Sequence, residues 1–295
     1  MSAAPGTIAR RDRAFGRLLT APGLAALVLV VLFPLGFTLF TSLYDFTLVH
    51  PNYDSFVGYD KYVEAWREDY VTDALWVTTK FVIASVVIEF VIGFSIALAL
   101  NRVTRFKSIY YVILLAPLLM NPVVVGQMWR MLLHSELGIV NYVLRLVGIA
   151  PVNWLGDPVN AFWTVVLCDI WHQVSFMAIL LLAGLAALPR EPYEAARMDG
   201  ASAVRMFIHI TLPLMRPVIA VALLLRLIFA IKTFDIIFIM TKGGPGTATD
   251  LISYFIYRAA FFGLDIGRAS AMSVALLVIV LALTVYLYRY MKSLA

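Results

Sequence analysis

Glu89, Asp169, His172, Arg226, Lys232 and Asp235 are ionisable and lie within long apolar runs of this 295-residue chain. A charge in hydrocarbon costs about 2.5–3.5 kcal/mol on insertion scales, so such groups face a bundle interior or a polar cavity. Glu89 and Arg226 carry opposite charge. Counted at about 1.5 Å per residue from the basic ends of their runs, both fall at about 14–16 Å, which suits a structural ion pair. Asp169, His172, Lys232 and Asp235 fall further along, at about 22–28 Å. Lys232 and Asp235 are three apart on one expected helix and can pair locally. Asp169, His172 and Gln173 share a helical face flanked by Trp171. Two readings stand for this deeper set. Asp169, Trp171, His172, Gln173, Lys232, Phe234 and Asp235 include transient contacts along a solute path, or they form an internal network tying two helices together.

Other chemistry finds no support. His50, His134, His172 and His209 lack metal-ligand spacing such as H-E-x-x-H, and no cysteine or serine sits beside a plausible base. Cys168 is the single cysteine, which excludes an internal disulfide and a cysteine zinc site and reads as a small buried apolar residue. The run Lys242–Gly246 is glycine-rich but lacks the spacing of a phosphate loop, and reads as a tight turn. No catalytic residue, bound metal, cofactor or nucleic-acid partner is expected of this chain.

The elements that must carry these residues follow from composition. The chain is 62% hydrophobic and 14% charged, with a mean hydropathy of +0.89. A soluble domain is nearer half apolar and a quarter charged, so a bilayer is the better solvent. Six runs are long enough to span it, at 18–43, 75–100, 108–133, 161–188, 217–240 and 269–291. Backbone groups in lipid must be bonded within the segment, so these are helices and the fold class is all-α. The first run is too long for a signal peptide and reads as an uncleaved membrane helix behind a basic tail, residues 1–17. The remainder, 18–295, is expected to form one membrane domain.

Basic residues set the orientation. Arg10, Arg11, Arg13 and Arg17 fall on one side with Arg102, Arg105, Lys107, Arg190, Arg197, Arg205, Arg216, Arg289 and Lys292. The loop after the first run is acidic. Both termini and the loop 189–216 are therefore expected in the cytoplasm, and 44–74, 134–160 and 241–268 outside, with short surface helices at Tyr59–Trp66 and Leu251–Phe262. Asn121 and Pro122, with Pro117, are expected to break or kink the third run, where proline-freed carbonyls can line a path.

The cytoplasmic loop reads as two short helices. Pro192 fits a first turn, Glu191 and Glu194 suit its positive end, Gly200 can take the left-handed conformation that ends it, and Ser202 can cap the next helix. Pro213 and Pro217 are expected to redirect the chain into the fifth run.

Glu194-Ala195-Ala196, Gly200 after three residues, and Ile210-x-Leu212-Pro213 after nine more resemble the cytoplasmic signature of permeases of binding-protein-dependent ABC importers. Leu182–Leu185, Phe234-Asp235, Thr241–Gly246, Tyr254-x-x-Tyr257 and Ala260-Phe261 are similar to the carbohydrate branch, and the likeness covers about 70–290. The resemblance implies a type I importer permease fold of six helices in a bacterial inner membrane. It implies that Glu194, Ala195, Ala196, Asp199, Gly200, Ile210, Leu212 and Pro213 dock on a separate ATPase, which binds the ATP and magnesium. It further implies two copies of that ATPase, a second homologous permease as heterodimer partner, an extracytoplasmic solute-binding protein, and a sugar or polyol as cargo. A phosphorylated polyol such as glycerol phosphate is the alternative cargo. An ion-coupled secondary transporter would explain buried charge, but leaves the signature loop unexplained and would be expected to show repeats that are not visible here.

Overall fold

The computed structural model describes Phe15 and residues 19–292, with side chains placed as far as Arg289. The basic tail, residues 1–17, lies outside the described residues apart from Phe15, as does the start of the first run at Leu18. The chain divides into two compact units, one of residues up to Arg67 with Ala259–Leu277, the other of Glu68–Arg258 with the segment from Val278 onward.

In the first unit α1 spans Leu19–Thr41, with one wide turn at Val28–Leu32. None of its most apolar window is buried, so its all-round apolar surface needs lipid or another chain. Beyond it, α2 (Asp60–Arg67) opens on an acid and closes on a base, matching the helix dipole. Ser42 Oγ donates to the Leu39 carbonyl and lies 2.7 Å from the Tyr62 hydroxyl. Lys61 joins Asp45 at 2.7 Å and Asp265 at 3.2 Å. These contacts give the acidic loop an internal counter-charge.

The second unit is built on α3 (Asp69–Arg102) and α7 (Pro158–Ala186), which pack along one another. Between them run α4 (Lys107–Leu118), α5 (Pro122–Leu132) and α6 (Ile139–Leu146). After α7 come α8 (Glu191–Met198), α9 (Ala203–Met206), α10 (Leu212–Ile231), α11 (Asp235–Met240) and α12 (Ile252–Phe261). The last helix, α13, spans Ile266–Lys292. Among the described residues five helices are long and apolar enough to cross a membrane, and a sixth span results if α4 and α5 count as one. No strand forms among the described residues, only isolated bridges at Tyr44–Phe56 and Thr47–Asp265.

Start signals explain where the long elements begin. Asp157 accepts from the amides of Val159 and Asn160 at 3.1 and 2.9 Å, with Pro158 in the first turn of α7. Asn121 does the same for α5, accepting from Val123 N at 2.9 Å ahead of Pro122. A residue before proline is driven to extended geometry, and Asn121 sits at φ −64°, ψ 131°. The third run is therefore no single kinked rod: α4 and α5 meet at 89°.

Two other expectations change. The chain is not redirected at Pro213 and Pro217. α9 continues through a π turn, Phe207–Thr211, straight into α10, and the wider i→i+5 pattern accommodates the hydrogen bond that Pro213 cannot donate. Nor is α12 a surface helix: Ile252, Tyr254, Phe255 and Ala260 are buried. Phe234 and Phe238 of the preceding segment pack on Tyr254 and Tyr257, with ring centroids 5.0–6.4 Å apart.

The core of this unit falls in two apolar clusters. Phe81, Val125, Val165, Ile237 and Leu251 belong to one, and Phe94, Met177, Leu181, Met215 and Ala222 to the other. Along α3 and α10 the stretch between the two clusters holds Glu89 and Arg226. Gly184 permits the close approach of α7 and α10, since a Cβ there would lie 2.6 Å from Val218 Cγ1.

Candidate functional site

Arg226 is fully buried on α10 and hydrogen-bonds two acids at once. Its Nη2 donates to Glu89 Oε1 at 2.8 Å and also to Asp169, while Nε donates to the second Glu89 oxygen. Glu89 is 0% and Asp169 2% exposed. The planar guanidinium suits this forked geometry. Three helices, α3, α7 and α10, are thereby tied at one level. Asp169 belongs to this network, and its carboxylate is already occupied by Arg226.

Beside the network lies a cavity of about 220 Å³. Asp169 forms part of its wall, with His172 and Gln173 of α7, Pro122 of α5, and Phe229 through Ile236 apart from Ala230 and Ile231. His172 is also buried and engaged. Its Nε2 meets the Met120 carbonyl at 3.1 Å, and Gln173 Nε2 meets its Nδ1 at 3.1 Å. A carbonyl only accepts, so Nε2 carries the proton and Nδ1 accepts from Gln173. The carbonyl freed by the break at Asn121 is thus capped from α7. Ser175 similarly donates to the Leu114 carbonyl.

Lys232 and Asp235 do not share a helix. α10 ends at Ile231 and α11 starts at Asp235, so the two flank a break whose residues face the cavity. No ion pair joins them among the described residues. Phe234 lines the cavity and stacks on Phe238 at 5.5 Å. Trp171 does not line it; its ring meets Trp129 edge-on at 5.9 Å. Sequence reasoning missed Phe229, in the last turn of α10, and Thr233, within the break itself; both line the cavity. It also missed Lys80, within the second run, whose ammonium lies 5.8 and 5.9 Å from the rings of Trp76 and Phe162.

The residues of the signature loop are placed as follows. Glu191 and Glu194 occupy the first turn of α8 with Pro192, and Gly200 has φ +74°, a region that disfavours other residues. Ser202 Oγ accepts from Arg205 N at 3.3 Å and caps α9. Tyr193 Oη donates to Thr211 Oγ1 at 3.0 Å, tying α8 to the π turn. Glu194 lines a second cavity, whereas Ala195 and Asp199 fall on the opposite side of the helix. Ile210 lies in the π turn, and Leu212 and Pro213 begin α10.

Apolar helices of spanning length, a charge network sealed between them and an exposed helix pair at one end define a membrane transport subunit. The fold is that of a type I ABC importer permease. A solved bacterial ABC transporter involved in the import of the acidic polysaccharide alginate superposes with a TM-score of 0.84, covering 96% of each chain at 24% identity. The family described as binding-protein-dependent transport system inner membrane component matches residues 71–295, and the chain belongs to it. The trehalose/maltose transport system permease protein MalF of Thermococcus litoralis is 37% identical over 276 residues, 93% of this chain and 92% of that one. The sn-glycerol-3-phosphate transport system permease protein UgpA of Escherichia coli strain UTI89 is 34% identical over 286 residues, 96% of each.

Proposed function

We propose that this chain forms the translocation path for a sugar or polyol in an ATP-driven importer. The observation that carries the cargo reading is the small cavity of mixed lining. Gln173 and Asp235 offer planar polar groups, Lys232 a further donor, and Phe229 and Phe234 apolar ring surface. That combination matches hydroxyls on one side of a solute and C–H faces on the other. The similarity to a trehalose/maltose permease supports it.

In this reading α8, Gly200 and α9 lie in the cytoplasm and dock on a separate ATPase. Ala195 and Asp199 form the docking side, and the π turn passes movement to α10. ATP and magnesium belong to that partner. Two ATPase copies, a second similar permease and an extracytoplasmic binding protein complete the assembly in a bacterial inner membrane, with both termini of this chain cytoplasmic.

The similarity to a glycerol-phosphate permease favours a second cargo, a phosphorylated polyol. The charge distribution weighs against it, because Arg226 is taken by Glu89 and Asp169, leaving Lys232 as the cation lining the cavity. Radiolabelled uptake by the complete transporter tests the path. Gln173→Ala and Asp235→Ala should each weaken apparent affinity about tenfold, the effect of losing one or two hydrogen bonds. Wild-type uptake by both variants would remove the cavity from the path.

A further inference from the structure

A second cavity, of about 580 Å³, lies where α8 meets the ends of α3 and α7. Arg102 ends α3, Arg190 precedes α8 and Arg197 falls in its last turn, and all three line this space with Asn101. Among the described residues Glu194 is the only carboxylate lining it. Among the described residues no side chain pairs with any of the three guanidinium groups. Tyr193 and Thr211 also line it, and the apolar part of the wall includes Leu98, Leu188 and Phe207.

We infer that this cavity holds the phosphate headgroup of an anionic phospholipid. Three unpaired arginines against one carboxylate favour an anion, and guanidinium groups favour a phosphate through forked donors. Two of the contributing helices, α3 and α7, are membrane-crossing by length and composition, so the cavity stands at the level of the headgroups. Basic pockets between helices at that level are a known form of lipid recognition. Free phosphate would use the arginines but leave the apolar wall wet. A lipid fills both.

An acidic segment of the ATPase is the competing occupant, and the geometry of α8 disfavours it. Arg190, Tyr193, Glu194 and Arg197 follow helical spacing and turn one side of α8 to the cavity. Ala195 and Asp199 fall on the other side, and Met198 beside them is 88% exposed. One side is thus left for docking while the other covers the lipid. The headgroup would brace α8 against α3, so that movement of α8 reaches the membrane helices without slack. That mechanical role rests on the coupling reading above; the binding itself does not.

The test is native mass spectrometry of the complete transporter, exposed to phosphatidylglycerol, phosphatidylcholine or inorganic phosphate. Phosphatidylglycerol should be retained over phosphatidylcholine, and Arg102→Gln should weaken that retention about fivefold, the contribution of one basic residue near a lipid surface. Arg190→Gln should do the same, which keeps the test open if one variant fails to assemble. Equal retention of the two lipids, unchanged retention in both variants, or displacement by millimolar phosphate would overturn the proposal. So would loss of the ATPase subunit from Arg102→Gln with lipid retention intact, since the arginine would then serve the protein contact. Transport-linked ATP hydrolysis, read separately, reports on coupling and not on lipid binding.

Discussion

Arg226 shows what a buried charge can do when its partners are supplied. Alone it would be intolerable between apolar helices; with Glu89 and Asp169 it becomes a three-helix clasp. Arg226→Ala would leave two acids buried without a counter-charge, and should cost about 3–5 kcal/mol. Replacing all three by apolar or amide residues of similar volume (Arg226→Met, Glu89→Gln, Asp169→Asn) should recover most of that loss. Unfolding of the detergent-solubilised protein in denaturant reads both. Depth counting from the sequence set Arg226 beside Glu89 but placed Asp169 a full turn or more beyond. Such counting treats helices as upright rods starting at one plane, and it ignores the reach of a long guanidinium side chain.

A third buried acid behaves differently. Asp250 is 2% exposed and joins Arg258 at 2.6 Å. Burial pushes its carboxyl above the ordinary carboxylate range, and Arg258 offsets this only in part. The folded state therefore binds the proton more tightly than the unfolded one. Stability of the corner between α11 and α12 should fall as pH rises from the ordinary range through the raised value, then level off. Hydrogen-exchange protection of the Thr249–Phe255 amides should show that slope, and Asp250→Asn should flatten it.

At the scale of elements, apolar length and end signals made most helices legible, because membrane helices need both. The starts of α7 and α8 can be read from Asp157-Pro158 and Glu191-Pro192. The breaks were not legible to the same degree. Nothing in the apolar run 217–240 marks Lys232–Phe234 as non-helical; at the break Phe234 packs onto Tyr257, a contact the run itself does not announce. Asn121 was visible as a breaker, but 89° exceeds what proline alone imposes. Its side-chain cap and the His172 contact to Met120 stabilise the corner together. Asn121→Ala should destabilise by about 0.5–2 kcal/mol, the usual range for a lost N-cap, in thermal melts of the purified transporter.

For the whole molecule, the sequence carries the machine more clearly than the cargo. In the signature loop a helix start, a left-handed glycine and a second cap follow one another in order. The residues of the proposed path obey no such order. The cavity is lined from three separate segments, α5, α7 and the α10–α11 break, which only the fold brings together. Permeases of differently named systems resemble the chain to a similar degree, at 37% and 34% identity, so overall likeness does not single out a cargo.

Gly200→Pro separates a coupling loop from an ordinary surface loop. Proline holds φ near about −65°, whereas Gly200 requires +74°. The substitution should therefore change the angle between α8 and α9 without touching the membrane core. The measurement is ATP hydrolysis by the complete transporter in liposomes, with and without loaded binding protein. The complex should still purify intact, but loaded binding protein should no longer stimulate hydrolysis and uptake should stop. An intact Gly200→Pro complex with wild-type stimulation and uptake would contradict the coupling role.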